Sequence, residues 1–237
     1  GGLIRVFHLA LSTESDAWQP IVYALALVTM VVGAALAVVQ SDIKRMLAYS
    51  SISHAGFILV AVEAHTAQGV QAALFYLAAY VFLVAGSFGV VMLVAGRGDG
   101  ATSLDHYRGL SRSRPGLALT FTVFLLAQAG VPFTSGFFAK FYVIAAAVDA
   151  RSYWLALAAM LASVIAAVLY LRIIVAMYLA GGDHDGDEPV EGPKVSIPLP
   201  AGAALAIAVV ATIAIGVLPG YLVEVARDAV PVLIALP

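Results

Sequence analysis

The stretch that decides the fold is residues 116–148, GLALTFTVFLLAQAGVPFTSGFFAKFYVIAAAV. Its 33 residues contain a single charge, Lys140, and one continuous helix of this length would extend about 50 Å, well beyond a hydrocarbon core of about 30 Å. Gly130, Val131 and Pro132 interrupt it, because proline removes a backbone donor and disfavours helix in the preceding residue. A break at membrane depth requires protein or a water-filled cavity to satisfy the freed backbone groups, and in transporters such breaks mark ion or substrate sites.

The composition places the chain in a membrane. Of its 237 residues 62% are hydrophobic and 11% are charged, and its mean hydropathy is +1.00, whereas about a quarter of a soluble domain is charged. The sequence has no cysteine, which excludes cysteine-bound iron–sulfur clusters, disulfides and thiolate zinc sites in this chain. A net charge of −2 without a basic run argues against a nucleic-acid partner.

Apolar runs long enough to cross a bilayer recur along the chain and predict an all-α polytopic transmembrane helix bundle with one discontinuous helix. After an opening half-helix at 1–11, six candidate spans lie at 20–40, 46–62, 70–96, 116–148, 152–180 and 198–222. Because the chain opens on two glycines without methionine or a signal peptide, we expect it to be the C-terminal part of a larger subunit. The acidic stretch 181–197 lacks the spacing of a calcium loop and is expected to be a solvated loop.

The distribution of basic residues predicts the orientation. Three connections on one side of the membrane (41–45, 97–114 and 181–197) carry seven basic residues: Lys44, Arg45, Arg97, Arg108, Arg112, Arg114 and Lys194. The opposite connections and the tail carry two, Arg151 and Arg227. Seven against two places the first side in the cytoplasm and the C-terminus outside. Trp18 and Trp154 then both fall at the outer interface, which tryptophan favours.

Lys140 is the most informative residue of the chain. It is the only charge between Arg114 and Asp149, and it lies nine residues, about 13 Å along a helix, from the nearer end of that segment. A charged lysine at that depth costs several kcal/mol, so its side chain should face the protein interior. There it can take up and release a proton as neighbouring charges change. The alternative is a lysine that snorkels to the surface or stays permanently paired.

His54 lies at the middle of its predicted span. Ser50 and Ser51 precede it by four and three residues and share its helix face, and Tyr49 lies one turn further from the centre. An imidazole can donate through one ring nitrogen and accept through the other, which suits a proton relay. The alternative is a histidine that simply hydrogen-bonds a neighbouring helix.

Three further residues are weaker candidates for the proton route. Lys44 is either part of the route or an ordinary member of a basic cluster at a cytoplasmic helix end. Tyr76 and Tyr80 lie four residues apart on one helix and either line a hydrated path or pack between helices. The sequence has no phosphate-binding glycine loop, nucleophile elbow or metalloprotease motif, so we expect neither a metal site nor a cofactor site in this chain.

Two segments carry a family resemblance. Residues 40–57, QSDIKRMLAYSSISHAGF, and residues 129–142, AGVPFTSGFFAKFY, resemble the antiporter-like membrane subunits of respiratory complex I, and they are also similar to subunits of Mrp-type sodium/proton antiporters. A lysine followed by Phe-Tyr, as at Lys140, is typical of one member of this family, whereas a sister subunit typically carries glutamate at that position.

The resemblance implies an architecture and roles for two residues. It makes residues 20–180 the second five-helix repeat of an inverted pair, with 1–11 the end of a preceding helix and 198–237 a last transmembrane helix and tail. In the family, the lysine of the broken helix ends a chain of buried ionisable groups that conducts protons, and this role maps onto Lys140. His54 maps onto a histidine of the same hydrated axis.

The resemblance also implies the partners. The chain would be a proton-translocating subunit of a bacterial NADH-quinone oxidoreductase in the plasma membrane, beside other antiporter-like subunits and the lipid bilayer. NADH, flavin, iron–sulfur clusters and quinone would bind partner subunits, and this chain would bind no soluble small-molecule substrate. The alternatives are a subunit of an Mrp-type cation/proton antiporter or a membrane-bound hydrogenase, and a purely structural membrane subunit.

Overall fold

The computed structural model describes residues 1–96, 102–179 and 197–234. In these ranges the chain is a bundle of helices without a strand, which confirms the predicted all-α fold. The predicted acidic loop at 181–197, except for its last residue, lies outside the described residues.

The described α-helices are, in chain order, α1 Gly2–Arg5, α2 Ser15–Val38, α3 Ile43–Glu63, α4 Ala67–Ala95, α5 Leu110–Ser113, α6 Pro115–Ala129, α7 Ser135–Asp149, α8 Tyr153–Leu179, α9 Leu199–Val217 and α10 Pro219–Ile234. A π-helical turn at Val6–Ala10 follows α1, and short 3-10 turns lie at Ser12–Glu14 and Leu104–Tyr107. Five helices, α2, α3, α4, α8 and α9, are long and apolar enough to cross a membrane.

The overlong apolar segment is divided into α6 and α7. Each has 15 residues, about 22 Å of helix, so neither alone crosses a hydrocarbon core of about 30 Å. The break runs from Gly130, whose φ is +91°, through Pro132 to Thr134. The bundle therefore contains the predicted discontinuous helix.

The C-terminal region differs from the sequence prediction of one span at 198–222. Helix α9 ends at Val217 and a separate helix, α10, begins at Pro219. Leu218 leaves the helical conformation, with φ −124° and ψ +63°, because the ring of a following proline disfavours helix. Helix α10 packs against α4, α9 and α1, so the predicted tail is largely helical.

Close contact between α2 and α3 fixes the position of His54 in the bundle. A side chain at Gly56 would collide with Met30 and one at Gly33 with the backbone of Ser53, so both glycines are needed for the helices to approach. The hydroxyl of Ser53 also donates to the carbonyl of Met30 at 2.9 Å. These contacts turn the adjacent His54 into the interior, where it is 4% exposed.

The segment before α5 is fastened to the start of α3. The backbone N–H of Ile43 donates to Thr102 at 2.7 Å, and that of Leu104 donates to Ser41 at 2.8 Å. Asp42 caps α3 by accepting from the N–H of Arg45 at 2.9 Å, and its other oxygen accepts from the hydroxyl of Thr102 at 2.5 Å. Burial raises the pKa of Asp42, but these hydrogen bonds outweigh it and leave that pKa below its ordinary value.

Replacement of Asp42 by alanine should destabilise the bundle by about 1 kcal/mol, the usual cost of losing a helix N-cap. Since its pKa is lower in the folded chain, the stabilisation by Asp42 is present above the unfolded-state pKa and is lost as the pH falls through the folded value. Thermal unfolding in detergent measures both effects. Asp105→Ala is the matched control, because that side chain is 73% exposed in a surface ion pair with Arg108 and should change stability by less than about 0.5 kcal/mol. Equal effects of the two substitutions would contradict this role for Asp42.

Both tryptophans lie at the end of the bundle where α2 and α8 begin, but they differ in exposure. Trp154 is 78% exposed, as expected for an interfacial ring. Trp18 is buried against Phe7 and His65, and its indole N–H donates to the carbonyl of Leu11 at 2.9 Å. Trp18 therefore packs inside the bundle at this end, because its N–H finds a protein acceptor, and its predicted place at the outer interface stays a prediction.

Candidate functional site

Lys140 reaches back to the end of the interrupted helix. Its Nζ donates to the carbonyl oxygens of Gln128 at 2.8 Å and Ala129 at 3.1 Å. These carbonyls lie in the last turn of α6, where the break leaves backbone acceptors without helical partners. The carbonyl end of a helix also carries partial negative charge and attracts a cation. The break thus creates the binding site for the Lys140 ammonium group.

The lysine side chain is enclosed on its other sides. It is 6% exposed, and the ring of Phe57 lies 5.4 Å from Nζ. A side chain at Gly130 would lie 3.3 Å from Lys140 Cδ, so the glycine leaves room for the lysine and also permits the positive φ of the turn. Among the described residues Lys140 has no acidic partner. Within the described part of the chain the lysine side chain therefore neither reaches the surface nor forms an ion pair.

Gln128 extends the contact from Lys140 toward α4 and α8. Its side chain is 2% exposed, and its amide nitrogen donates to Ser87 Oγ at 2.6 Å. Its amide oxygen accepts from the hydroxyl of Tyr170 at 3.4 Å. One residue thus holds Lys140 through its backbone and Tyr170 through its side chain.

Tyr170 connects this amide to His54. The tyrosine Oη lies 3.0 Å from His54 Nε2 and also contacts Ser50 Oγ. On the other side of the imidazole, Nδ1 lies 2.5 Å from the hydroxyl of Tyr76. A connected set of polar groups therefore runs from the ammonium of Lys140 through Gln128, Tyr170 and His54 to Tyr76.

Two hydroxyls complete the surroundings of His54. The ring of Tyr80 stacks on the imidazole, with centroids 4.6 Å apart, and its Oη is buried without a hydrogen-bond partner among the described residues. Ser51, which shares this helix face, donates to its own helix at the Leu47 carbonyl, 2.9 Å away. The imidazole is thus lined by three tyrosines from two other helices.

This arrangement can shift protons. A hydroxyl has one donor and two acceptor positions, and a neutral imidazole has one of each. With His54 protonated on Nε2, it donates to Tyr170 and accepts from Tyr76, and the opposite tautomer reverses both bonds. The ammonium of Lys140 has three N–H donors and the neutral amine has two, so the lysine can lose and regain a proton while it stays bonded to the two carbonyls. The site therefore has the groups of a proton relay.

The sequence profile of one protein family covers the broken helix and Lys140. The profile described as NADH:quinone oxidoreductase/Mrp antiporter, transmembrane, matches residues 1–166, well over half of the chain. The chain belongs to this family. The predicted family resemblance is thereby confirmed, and the protein is a polytopic membrane protein.

One curated relative and two solved structures show which members of the family this chain resembles. NADH-quinone oxidoreductase subunit N 1 of Solibacter usitatus is 44% identical over 225 residues, covering 94% of this chain and 45% of the relative. The chain thus spans less than half the length of that protein. A chain of respiratory complex I from Thermus thermophilus, solved with bound NADH, has a TM-score of 0.80 at 27% identity and covers 98% of this chain and 49% of that one.

A chain of the Mrp complex from Dietzia sp. has a TM-score of 0.85 at 22% identity, covering 99% of this chain and 50% of that one. At this identity the likeness shows a shared fold and no more. The antiporter-like architecture is thereby established for this family member.

The structure brings most of the predicted site residues of this antiporter-family member together. Lys140, His54 and Tyr76 are buried in one cluster and the half-buried Tyr80 stacks on it, although their spacing in the sequence could not show it. Lys44 does not join them. It lies in the first turn of α3, ten residues and about 15 Å along the helix from His54.

Two residues of the cluster were missed by the sequence analysis. Gln128 is the one amide side chain in the apolar run of α6, a signal that could have been noticed beside the break. Tyr170 lies in α8, which is apolar almost all round, and its position two residues before Arg172 gives no indication that it would contact His54.

Proposed function

We propose that this chain translocates protons as the subunit N component of a membrane-bound NADH-quinone oxidoreductase. The observation that carries the proposal is the buried connection between Lys140 and His54 through Gln128 and Tyr170. The identity to subunit N sequences supports the choice within the family. Burial of ionisable groups such as Lys140 and His54 in a membrane is costly, and such residues mark ion and proton paths in membrane proteins.

The proposed mechanism is electrostatic. Quinone reduction on other subunits changes the charge of groups beside this bundle and thereby the proton affinity of Lys140. Both oxygens of Gln128 only accept hydrogen bonds, so the lysine exchanges a proton with the Tyr170–His54 part of the cluster through transient water and releases one toward the outside. The buried hydroxyls of Tyr80 and Ser135 have no hydrogen-bond partner among the described residues, and at both places water would extend the path. The excess of basic residues in the connections at one end supports a cytoplasmic location for the start of α3 and an outer location for its end.

The redox chemistry belongs to other subunits in this proposal. NADH, flavin, iron–sulfur clusters and quinone would bind there, and the chain has no cysteine for an iron–sulfur cluster. Its partners would be the neighbouring antiporter-like membrane subunits and the lipid bilayer of a bacterial plasma membrane.

Affinity purification of the full-length tagged subunit tests the assignment. Copurification of NADH-oxidising, flavin-containing peripheral subunits is expected. Recovery with sodium/proton antiport activity and without those subunits would instead identify an Mrp-type antiporter, a rival with the same fold. Recovery with hydrogenase subunits would identify the second rival.

Replacement of Tyr170 by phenylalanine should lower proton translocation measurably while leaving NADH oxidation in place. The ring and its packing remain, but the hydroxyl between His54 and Gln128 is lost, so only water can bridge the gap. Proton uptake by inverted membrane vesicles, divided by NADH consumed, measures the effect.

The matched control is Tyr178→Phe on the same helix, since Tyr178 is 40% exposed and outside the cluster. It should keep the normal ratio. A Tyr170 variant that also kept the normal ratio would show that the hydroxyl is not needed for the path.

A further inference from the structure

A second buried titratable group lies at the other end of the helix that carries His54. There, where α2 and α8 begin and α3 and α7 end, a cavity of about 560 Å³ opens to the surface. Its walls include Asp16, Gln19, Tyr23, Glu63 and Ser152. On the proposed orientation this is the outer end of the bundle, and we refer to the cavity as the outer pocket.

Glu63 is the buried carboxyl of the outer pocket. It is 6% exposed, and its Oε1 accepts from the hydroxyl of Ser152 at 3.0 Å. Its Oε2 is buried without a partner among the described residues. Gln19 fixes the end of α3 by donating to the Glu63 carbonyl at 3.0 Å. The carboxyl group is thus positioned by the fold, with one oxygen available to a proton.

The other titratable groups near the outer pocket are arranged differently. Asp16 is exposed to solvent at its rim. The ring of His65 packs tilted against that of His8 and edge-on against that of Trp18, with centroids 4.7 Å and 5.1 Å away. Among the described residues no lysine or arginine forms an ion pair with Glu63. A carboxylate buried without a cation is costly, and the neutral acid costs much less.

An apolar layer separates Glu63 from the polar cluster. His54 and Glu63 are nine residues apart on α3, about 13 Å, and the α3 residues Phe57, Val60 and Ala61 between them are buried. Buried apolar side chains of α7 beyond Lys140, including Val143 and Ala147, face the same core. A continuous hydrogen-bonded chain would let protons flow back, so a pump needs such a break, which conducts only when hydrated.

We propose that Glu63 is the outer-side proton acceptor of this chain, receiving protons from Lys140 across the apolar layer and releasing them into the outer pocket. This rests on the proposed function. In each transfer an N–H bond of the Lys140 ammonium breaks, transient water carries the proton, and an O–H bond forms on Glu63 Oε2. The acid then loses the proton to water in the pocket and returns to a carboxylate, so charge and protons balance over the cycle.

Three variants of the whole complex test the proposal through protons moved per NADH oxidised in inverted vesicles. Glu63→Gln keeps the shape and still accepts from Ser152, but it cannot carry a proton, so the ratio should fall as far as in Lys140→Ala. Glu63→Asp keeps the carboxyl and should recover most of the ratio. Asp16→Asn removes the exposed carboxyl of the same pocket and should leave the ratio unchanged.

The outcomes separate this inference from the proposed function. A normal ratio in Glu63→Gln together with a lowered ratio in Lys140→Ala overturns the role of Glu63 and leaves the proposed function standing. Equal losses in Glu63→Gln and Glu63→Asp overturn it as well, because they indicate a structural role. Normal ratios in both Glu63→Gln and Lys140→Ala overturn both proposals.

Discussion

A complex carrying Lys140→Ala is expected to assemble and oxidise NADH but to lose this subunit's whole share of proton translocation. The substitution removes the ammonium group bound to the carbonyls of Gln128 and Ala129. No other cationic side chain lies in α6 or α7, so nothing in the broken helix can replace it. Protons moved per NADH oxidised in inverted membrane vesicles measure the loss.

The neighbouring residue supplies the control for this prediction. Phe141 is 54% exposed on the same helix, so Phe141→Ala removes a large side chain next to Lys140 without touching the cluster. Its ratio should remain normal. A Lys140→Ala complex that pumps at the normal ratio would contradict the assigned role of the lysine.

Gly136→Val is expected to reduce the amount of assembled subunit several-fold. A β-carbon at position 136 would overlap the carbonyl of Ala127, and a backbone atom cannot move aside as the end of a flexible side chain can. Overpacking costs about 1–3 kcal/mol, and a loss of 1–2 kcal/mol is enough to change the abundance of a protein several-fold. Quantitative immunoblotting of membranes against a second subunit of the complex measures the effect.

Gly116→Ala is the matched substitution in the same broken helix. No atom lies within 4 Å of where its β-carbon would be, and alanine favours helix over glycine. This variant should therefore accumulate at least as well as the unmodified chain. Equal losses in the two glycine variants would show that the close approach of α7 to the end of α6 does not hold the break together.

The sequence was sufficient for the architecture around the break. Proline at 132 and the length of the apolar segment required an interruption, and the isolation of Lys140 required an inward orientation. The two carbonyls that bind Lys140 could not be predicted, since their distance from the lysine depends on how sharply the chain turns at Gly130. The predicted span was extended to residue 222 because the sequence stays apolar past Leu218, whereas helix α9 ends at Val217.

The neighbours of His54 could not be predicted from the sequence for another reason. Helix α8 is apolar almost all round, so periodicity does not show which face meets α3. The contact between Tyr170 and His54 joins residues 116 positions apart. In the sequence Glu63 is an ordinary charged residue at the end of a predicted helix. Only the fold shows that Ser152 and the start of α2 pack over it.

The most direct test of a single path is the proton ratio of a complex carrying both His54→Ala and Lys140→Ala. If both residues serve one path through Gln128 and Tyr170, Lys140→Ala already interrupts it, and the double variant should move as many protons per NADH as the single one. His54→Ala alone should also lower the ratio, which distinguishes a shared path from a histidine without a role. A double variant with a clearly lower ratio than Lys140→Ala would show that His54 and Lys140 serve separate routes and would contradict the proposed relay.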